Sequence, residues 1–229
     1  MQACFSVTAG IDVLCRRSYT GPVPHDISGA SARFVPTRAA DLRNVTKSAK
    51  QTPLSSLTGE FAMNDTDRIF LAMVDYFAGD PRRIQHFTKV HAFAALMGRR
   101  EELDERTQFI LEVAALVHDI GIRRAEELYG STSGALQEQE GPAEAEKLLR
   151  ALGVESSVIE RVCYLVGHHH TYGNMDGLDY RLLVEADFLV NLYEDGESEK
   201  AVRAACERIF RTKSGTELCR TMFGLNGQR

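Results

Sequence analysis

Residues 109–121 read Phe109-Ile110-Leu111-Glu112-Val113-Ala114-Ala115-Leu116-Val117-His118-Asp119-Ile120-Gly121, and this stretch decides the fold. Phe109, Ile110, Val113, Ala114, Leu116 and Val117 are apolar on most of the circumference, so the segment is a helix enclosed by others, with Asp104 as its N-cap. The run ends on an imidazole and a carboxylate in adjacent positions. Nitrogen and oxygen donors at the end of a central helix are the seed of a metal site. Consecutive side chains diverge by about 100 degrees on a regular helix, so one ion meets both His118 and Asp119 only beside the helix end.

Outward from this helix the same punctuation repeats. Asn64 or Asp65 caps a helix carrying Ile69, Phe70, Met73, Val74 and Phe77 at helical spacing, and Gly79 closes it. Asp80-Pro81 opens the next, whose stripe of Ile84, Phe87, Val90, Ala94 and Met97 runs to Gly98 with His86 beside it. Downstream, a polar loop over about 129–140 leads to a helix from Gly141-Pro142 to Gly153. Another helix spans about 156–169 on Val158, Ile159, Val162, Leu165 and Val166. Turn residues over 172–177 precede a helix on which Leu182, Leu183, Ala186, Leu189, Val190 and Tyr193 surround Asp187. Amphipathic segments near 199–210 and 214–223 complete an all-α helical bundle, a single domain over residues 63–229.

The first 62 residues differ in character. They are rich in Gly, Pro, Ser and Thr and show no sustained helical or strand period, so a disordered leader or an over-extended translation start is expected, dispensable for the fold. This segment carries seven Lys or Arg against four Asp or Glu, so of the whole chain's −5 about −8 falls on the remainder. Asp12, Asp26, Asp41 and Glu60 interrupt any basic amphipathic transit helix, and no secretory apolar core is present. Five scattered cysteines without a Cys-x-x-Cys pair suggest reduced thiols, and no run of about 18 apolar residues exists to span a membrane. A cytoplasmic protein is expected. The acidic remainder argues against broad nucleic-acid binding, and Gly130-Ser131-Thr132-Ser133-Gly134 lacks the Lys-Ser/Thr ending of a phosphate loop.

Asp187 then raises a question of charge. An ionised carboxylate on an apolar helix face suffers a large desolvation penalty unless a cation or metal compensates it. By periodicity alone, an exposed position beside Glu185 remains an equal alternative. In chain order the candidate donors are His86, His118-Asp119, His168-His169-His170 and Asp187, each on or after a successive helix.

That order resembles the HD superfamily of metal-dependent phosphohydrolases, over roughly residues 64–195. His86-Phe87-Thr88-Lys89-Val90 resembles the family's first motif and Glu185-Ala186-Asp187-Phe188-Leu189 its last, in which the Asp is the final metal ligand. The resemblance therefore implies His86, His118, Asp119 and Asp187 as ligands, His118 and Asp119 as the catalytic pair, and His169 as the metal contact among the three histidines. Where many members carry a further histidine for a second metal, this chain departs, and Glu140 is the expected substitute. Lys89, Arg123, Arg124 and His168 are the candidate substrate contacts, the arginines replacing a family Lys whose place is taken by Ile122.

The implied cofactor is one or two divalent transition metals, manganese, iron, zinc, cobalt or nickel. The implied partner is a small phosphorylated substrate, a nucleotide among the candidates, and a homo-oligomer is allowed. A dinuclear iron oxygenase of the same ligand order and a regulatory ligand-binding module are the alternatives. Oxygen consumption after iron loading discriminates the first, and an intact ligand set argues against the second.

Overall fold

The computed structural model describes residues 64–226, which form nine helices and no strand. They are α1 (Asp65–Tyr76), α2 (Pro81–Arg100), α3 (Glu105–Val117), α4 (Gly121–Tyr129), α5 (Gly134–Ala151), α6 (Ser156–Val166), α7 (Leu178–Glu194), α8 (Glu199–Arg208) and α9 (Lys213–Met222). The all-α expectation is met; the expectations for residues 1–62 lie outside the described residues.

Capping fixes where the first helices begin. Asn64 accepts a hydrogen bond from Asp67 N at 2.8 Å, and Asp80 one from Arg83 N at 3.1 Å with Pro81 in the first turn. Asp104 accepts from Arg106 N and Thr107 N at 3.1 and 3.0 Å. Between these caps α3 is central: Leu111, Val113, Ala114, Ala115, Leu116 and Val117 are fully buried, and α1, α2, α6 and α7 pack around it. An α3 apolar on most sides therefore ends deep in the bundle, which is where His118 and Asp119 are delivered.

Residues 129–140 correct the expected loop. The connection is only 130–133, closed by Gly130 at φ 62°, and α5 begins at Gly134 with Pro142 inside it. Ala135, Leu136, Gln137, Glu138, Gln139 and Glu140 are strong helix formers, and that propensity outweighs the polarity that suggested a loop. The helix continues through Pro142, whose carbonyl accepts from Cys163 Sγ of α6 at 3.3 Å. Residues 121–129, too short for a periodic stripe to declare itself, form α4 with Ile122 and Ala125 buried.

The α4–α5 contact depends on two glycines. A Cβ on Gly121 would fall 2.6 Å from Gln137 O and 2.7 Å from Gly141 N, both backbone atoms that cannot swing aside. Gly121→Ala is expected to destabilise the protein by about 1–3 kcal/mol, the usual range for overpacking. Urea unfolding measures it, and an unchanged midpoint would refute the close approach.

The connection between α6 and α7 is pinned at several points. Arg161 donates to Asp179 at 2.8 Å and to Asp176 at 2.9 and 3.0 Å, while the Tyr180 hydroxyl reaches the carbonyls of His168 and Thr171. Glu138 of α5 accepts from His170 N at 2.9 Å and Thr171 Oγ1 at 3.0 Å. These bonds hold the histidine triplet against the end of α3.

Candidate metal centre

Two helices and two helix ends converge on one point. His86 comes from α2, His118 and Asp119 from the end of α3, His169 from the turn after α6, and Asp187 from the middle of α7. His118 and His169 are completely enclosed, and His86 and Asp187 nearly so. His86 Nε2 lies 3.2 Å from His118 Nε2, 3.2 Å from Asp187 Oδ1 and 3.5 Å from Asp119 Oδ2. His118 Nε2 is 3.5 Å from Asp119 Oδ2 and 3.6 Å from Asp187 Oδ1, and His169 Nε2 approaches the other Asp119 oxygen at 3.6 Å.

The outer nitrogens fix the tautomers. His118 Nδ1 donates to Ala115 O at 2.9 Å and His169 Nδ1 to Val166 O at 2.7 Å, since a carbonyl can only accept. His86 Nδ1 faces the Glu194 carboxylate at 2.9 Å and must likewise donate. In their neutral forms all three rings then present a bare Nε2 lone pair to the same centre, beside two carboxylates. Facing lone pairs 3.2 Å apart repel unless a cation lies between or beside them. Asp187 Oδ1 and His169 Nε2 are both buried here without a hydrogen bond. Imidazole nitrogen with carboxylate oxygen is the donor set for borderline divalent ions, and these residues fit one.

The same geometry sets the proton affinities of the metal-free site. Burial disfavours the His86 imidazolium, but Asp187, Glu194 and Asp119 outweigh it and push its pKa up to about 10. Burial opposes charge on Asp119 and Asp187 too, and the surrounding imidazoles prevail, holding both well below the usual carboxylate range. His169 is raised by Asp119 against its burial. His170 goes the other way, down to about 3, through burial and the neighbouring His169.

Two overlapping donor groups emerge, His86, His118 and Asp119 in one and Asp119, His169 and His170 in the other, each with donor atoms within 4.8 Å of one another. Asp119 belongs to both. A cleft opens onto the first group, lined by Arg82, Ile122, Gln137, His170, Asn191, Glu194 and Asp195 beside His86, Asp119 and Asp187.

The remaining expected site residues lie elsewhere. The Glu140 carboxylate accepts from Tyr129 Oη and Gln139 Nε2, both at 2.9 Å, outside the cleft. The α5 side chain in the cleft is Gln137, which donates to Thr132 O at 2.8 Å and accepts from His170 Nε2 at 3.1 Å. Lys89 is ion-paired with Glu194. Arg123 donates to Tyr76 O at 3.0 Å and pairs with Glu127, as does Arg124, both on the exposed face of α4. His168 stacks on Tyr164 and donates to its carbonyl at 2.7 Å. The sequence reading passed over Arg82, Gln137, Asn191 and Glu194. A signal existed for the last two, because Asp187, Asn191 and Glu194 follow the spacing i, i+4, i+7 of one helix face.

An all-helical bundle with buried imidazoles and carboxylates converging from separate helices defines a class of metal-site protein. The chain belongs to the HD domain family, whose profile, described as HD domain, matches residues 83–206. The crystal structure of a predicted HD superfamily hydrolase from an uncultured Thermotogales bacterium is similar, with a TM-score of 0.51 and 24% sequence identity over 69% of this chain and 85% of that one. That likeness speaks for the fold. No curated protein matches the chain. Among the described residues no helix is long and apolar enough to cross a membrane.

Proposed function

We propose that the protein is a metal-dependent phosphohydrolase acting on a small phosphate ester, with nucleotides the first class to test. The observation that carries the reading is the convergence of three imidazole Nε2 atoms on two buried carboxylates, with every outer nitrogen committed as a donor. His86, His118, Asp119 and Asp187 would hold one divalent ion; Asp119, His169 and His170 would hold a second. Glu140, engaged by Tyr129 and Gln139, is assigned no ligand role. When bound, a divalent ion supplies an activated water and polarises a phosphoryl oxygen.

The chain's own groups do the rest. Asp119, held ionised and facing the cleft, accepts a hydrogen bond from the attacking water and aims it. Gln137 and Asn191 offer neutral polar contacts at the wall. Arg82 is the cationic side chain lining the cleft, so it takes the phosphate role that the sequence assigned to Lys89, Arg123, Arg124 and His168.

Phosphate release from a panel of monoesters and diesters, with manganese, cobalt, nickel, zinc and iron in turn, tests the assignment. Failure of every substrate with a fully loaded protein would refute it. Arg82→Ala is expected to raise KM about ten-fold or more, the worth of one charge-assisted hydrogen bond, with unchanged metal content. An unchanged KM would remove Arg82 from substrate binding.

A further inference from the structure

Glu194 lines the cleft and invites a reading as a further ligand, but both of its oxygens are already used. Oε2 accepts from His86 Nδ1 at 2.9 Å and Oε1 receives the Lys89 ammonium. His86 and Lys89 are three residues apart on α2 and so share a face, and Glu194 meets both from the last turn of α7. We propose that Glu194 and Lys89 form a positioning pair for His86. On the metal-site reading above, the pair fixes the His86 tautomer and ring direction, and Lys89 is a counter-charge for Glu194, with no phosphate contact.

A carboxylate can only accept, so while it is ionised His86 must carry hydrogen on Nδ1 and offer Nε2 to the ion. Both Glu194 oxygens are engaged by cationic or N–H donors, one by His86 Nδ1 and the other by the Lys89 ammonium. The negative charge behind the ring also makes Nε2 a stronger donor to metal. The other ligand rings lack such a partner: His118 and His169 are oriented by neutral backbone carbonyls. His86 thus carries the one ligand orientation that depends on a charged side chain and is open to a conservative variant. A purely structural ion pair would leave cobalt affinity and the cobalt spectrum unchanged, and that difference makes the roles separable.

The test is cobalt(II) titration of the full chain against a competing chelator, with the visible absorption spectrum recorded at saturation. Glu194→Gln is expected to lower cobalt affinity about 10–100-fold and to alter the spectrum. The metal-free variant should keep the wild-type helix content by circular dichroism, which shows that the fold is intact. Wild-type affinity in Glu194→Gln overturns the proposal while leaving the metal site intact. A wild-type protein that binds no cobalt overturns the site itself. Should Glu194→Gln fail to fold, Lys89→Met reads the same chain of contacts: a smaller but measurable loss of cobalt affinity supports the pair, and wild-type affinity overturns it.

Discussion

Asp187→Ala should leave the purified protein without bound divalent metal and without hydrolytic activity. Asp187 is the acidic ligand candidate most deeply set in the bundle, with Oδ1 3.2 Å from His86 Nε2 and 3.6 Å from His118 Nε2 and no hydrogen bond of its own. A carboxylate in apolar surroundings carries a desolvation cost that a bound cation offsets. Its loss removes both a ligand and the negative charge opposing two facing imidazoles. Metal affinity should fall by more than the roughly 100-fold that marks the upper end for outer-shell partners. His118→Ala is expected to do the same. Elemental analysis after mild chelation and dialysis decides it, and wild-type occupancy in both variants would mean that the ion, if any, binds elsewhere.

The bundle was legible in the sequence because apolar residues recur at helical spacing, the first three helices open on an Asn or Asp cap, and α3 is apolar on most of its circumference. The candidate ligands were legible for a related reason. His118 and Asp119 end a helix that its apolar pattern marks as central, where polar groups need a partner, and for Asp187, which periodicity leaves open, the family resemblance supplies the role. What failed was local. Over 129–140 the composition is polar, yet the helix propensity of Ala135 to Glu140 prevails, and α5 starts about two turns before Gly141. Glu140 was expected from the resemblance, at the place of a family histidine, whereas the α5 side chain lining the cleft is Gln137.

The cationic side chains were misplaced for a different reason. Lys89, Arg123 and Arg124 sit at suggestive sequence distances from the ligands, but charge alone does not say which acid is nearer. Glu194 claims Lys89, and Glu127 claims both arginines. Arg82 follows Pro81 at the start of α2, where a sequence gives no sign that α7 will bring Asn191 and Asp195 alongside.

Metal-free protein should lose stability as pH rises, and metal-loaded protein should not. His86 has a folded pKa of about 10 against its ordinary 6.5, because Asp187, Glu194 and Asp119 favour its charged form over the opposition of burial. A raised pKa contributes stability that is fully present below the unfolded value and lost as pH climbs through the folded one. Asp119 and Asp187 are lowered from 3.8, so their contribution is present above that value and lost as pH falls. His170, held down to about 3, costs stability as pH falls below 6.5, so the chelated protein should be most stable near pH 6.5 and should weaken toward pH 10 by on the order of a few kcal/mol. A bound divalent ion requires a neutral Nε2 on His86 and so replaces the proton. That substitution removes the alkaline loss and steepens the acid one, since protons then compete with the metal for His86, His118 and His169. Thermal unfolding of chelated and cobalt-loaded protein across this range measures both slopes. A chelated protein whose midpoint stays flat from pH 6 to 10 would show that the carboxylates do not hold a proton on His86, and that the buried charges are balanced in some other way.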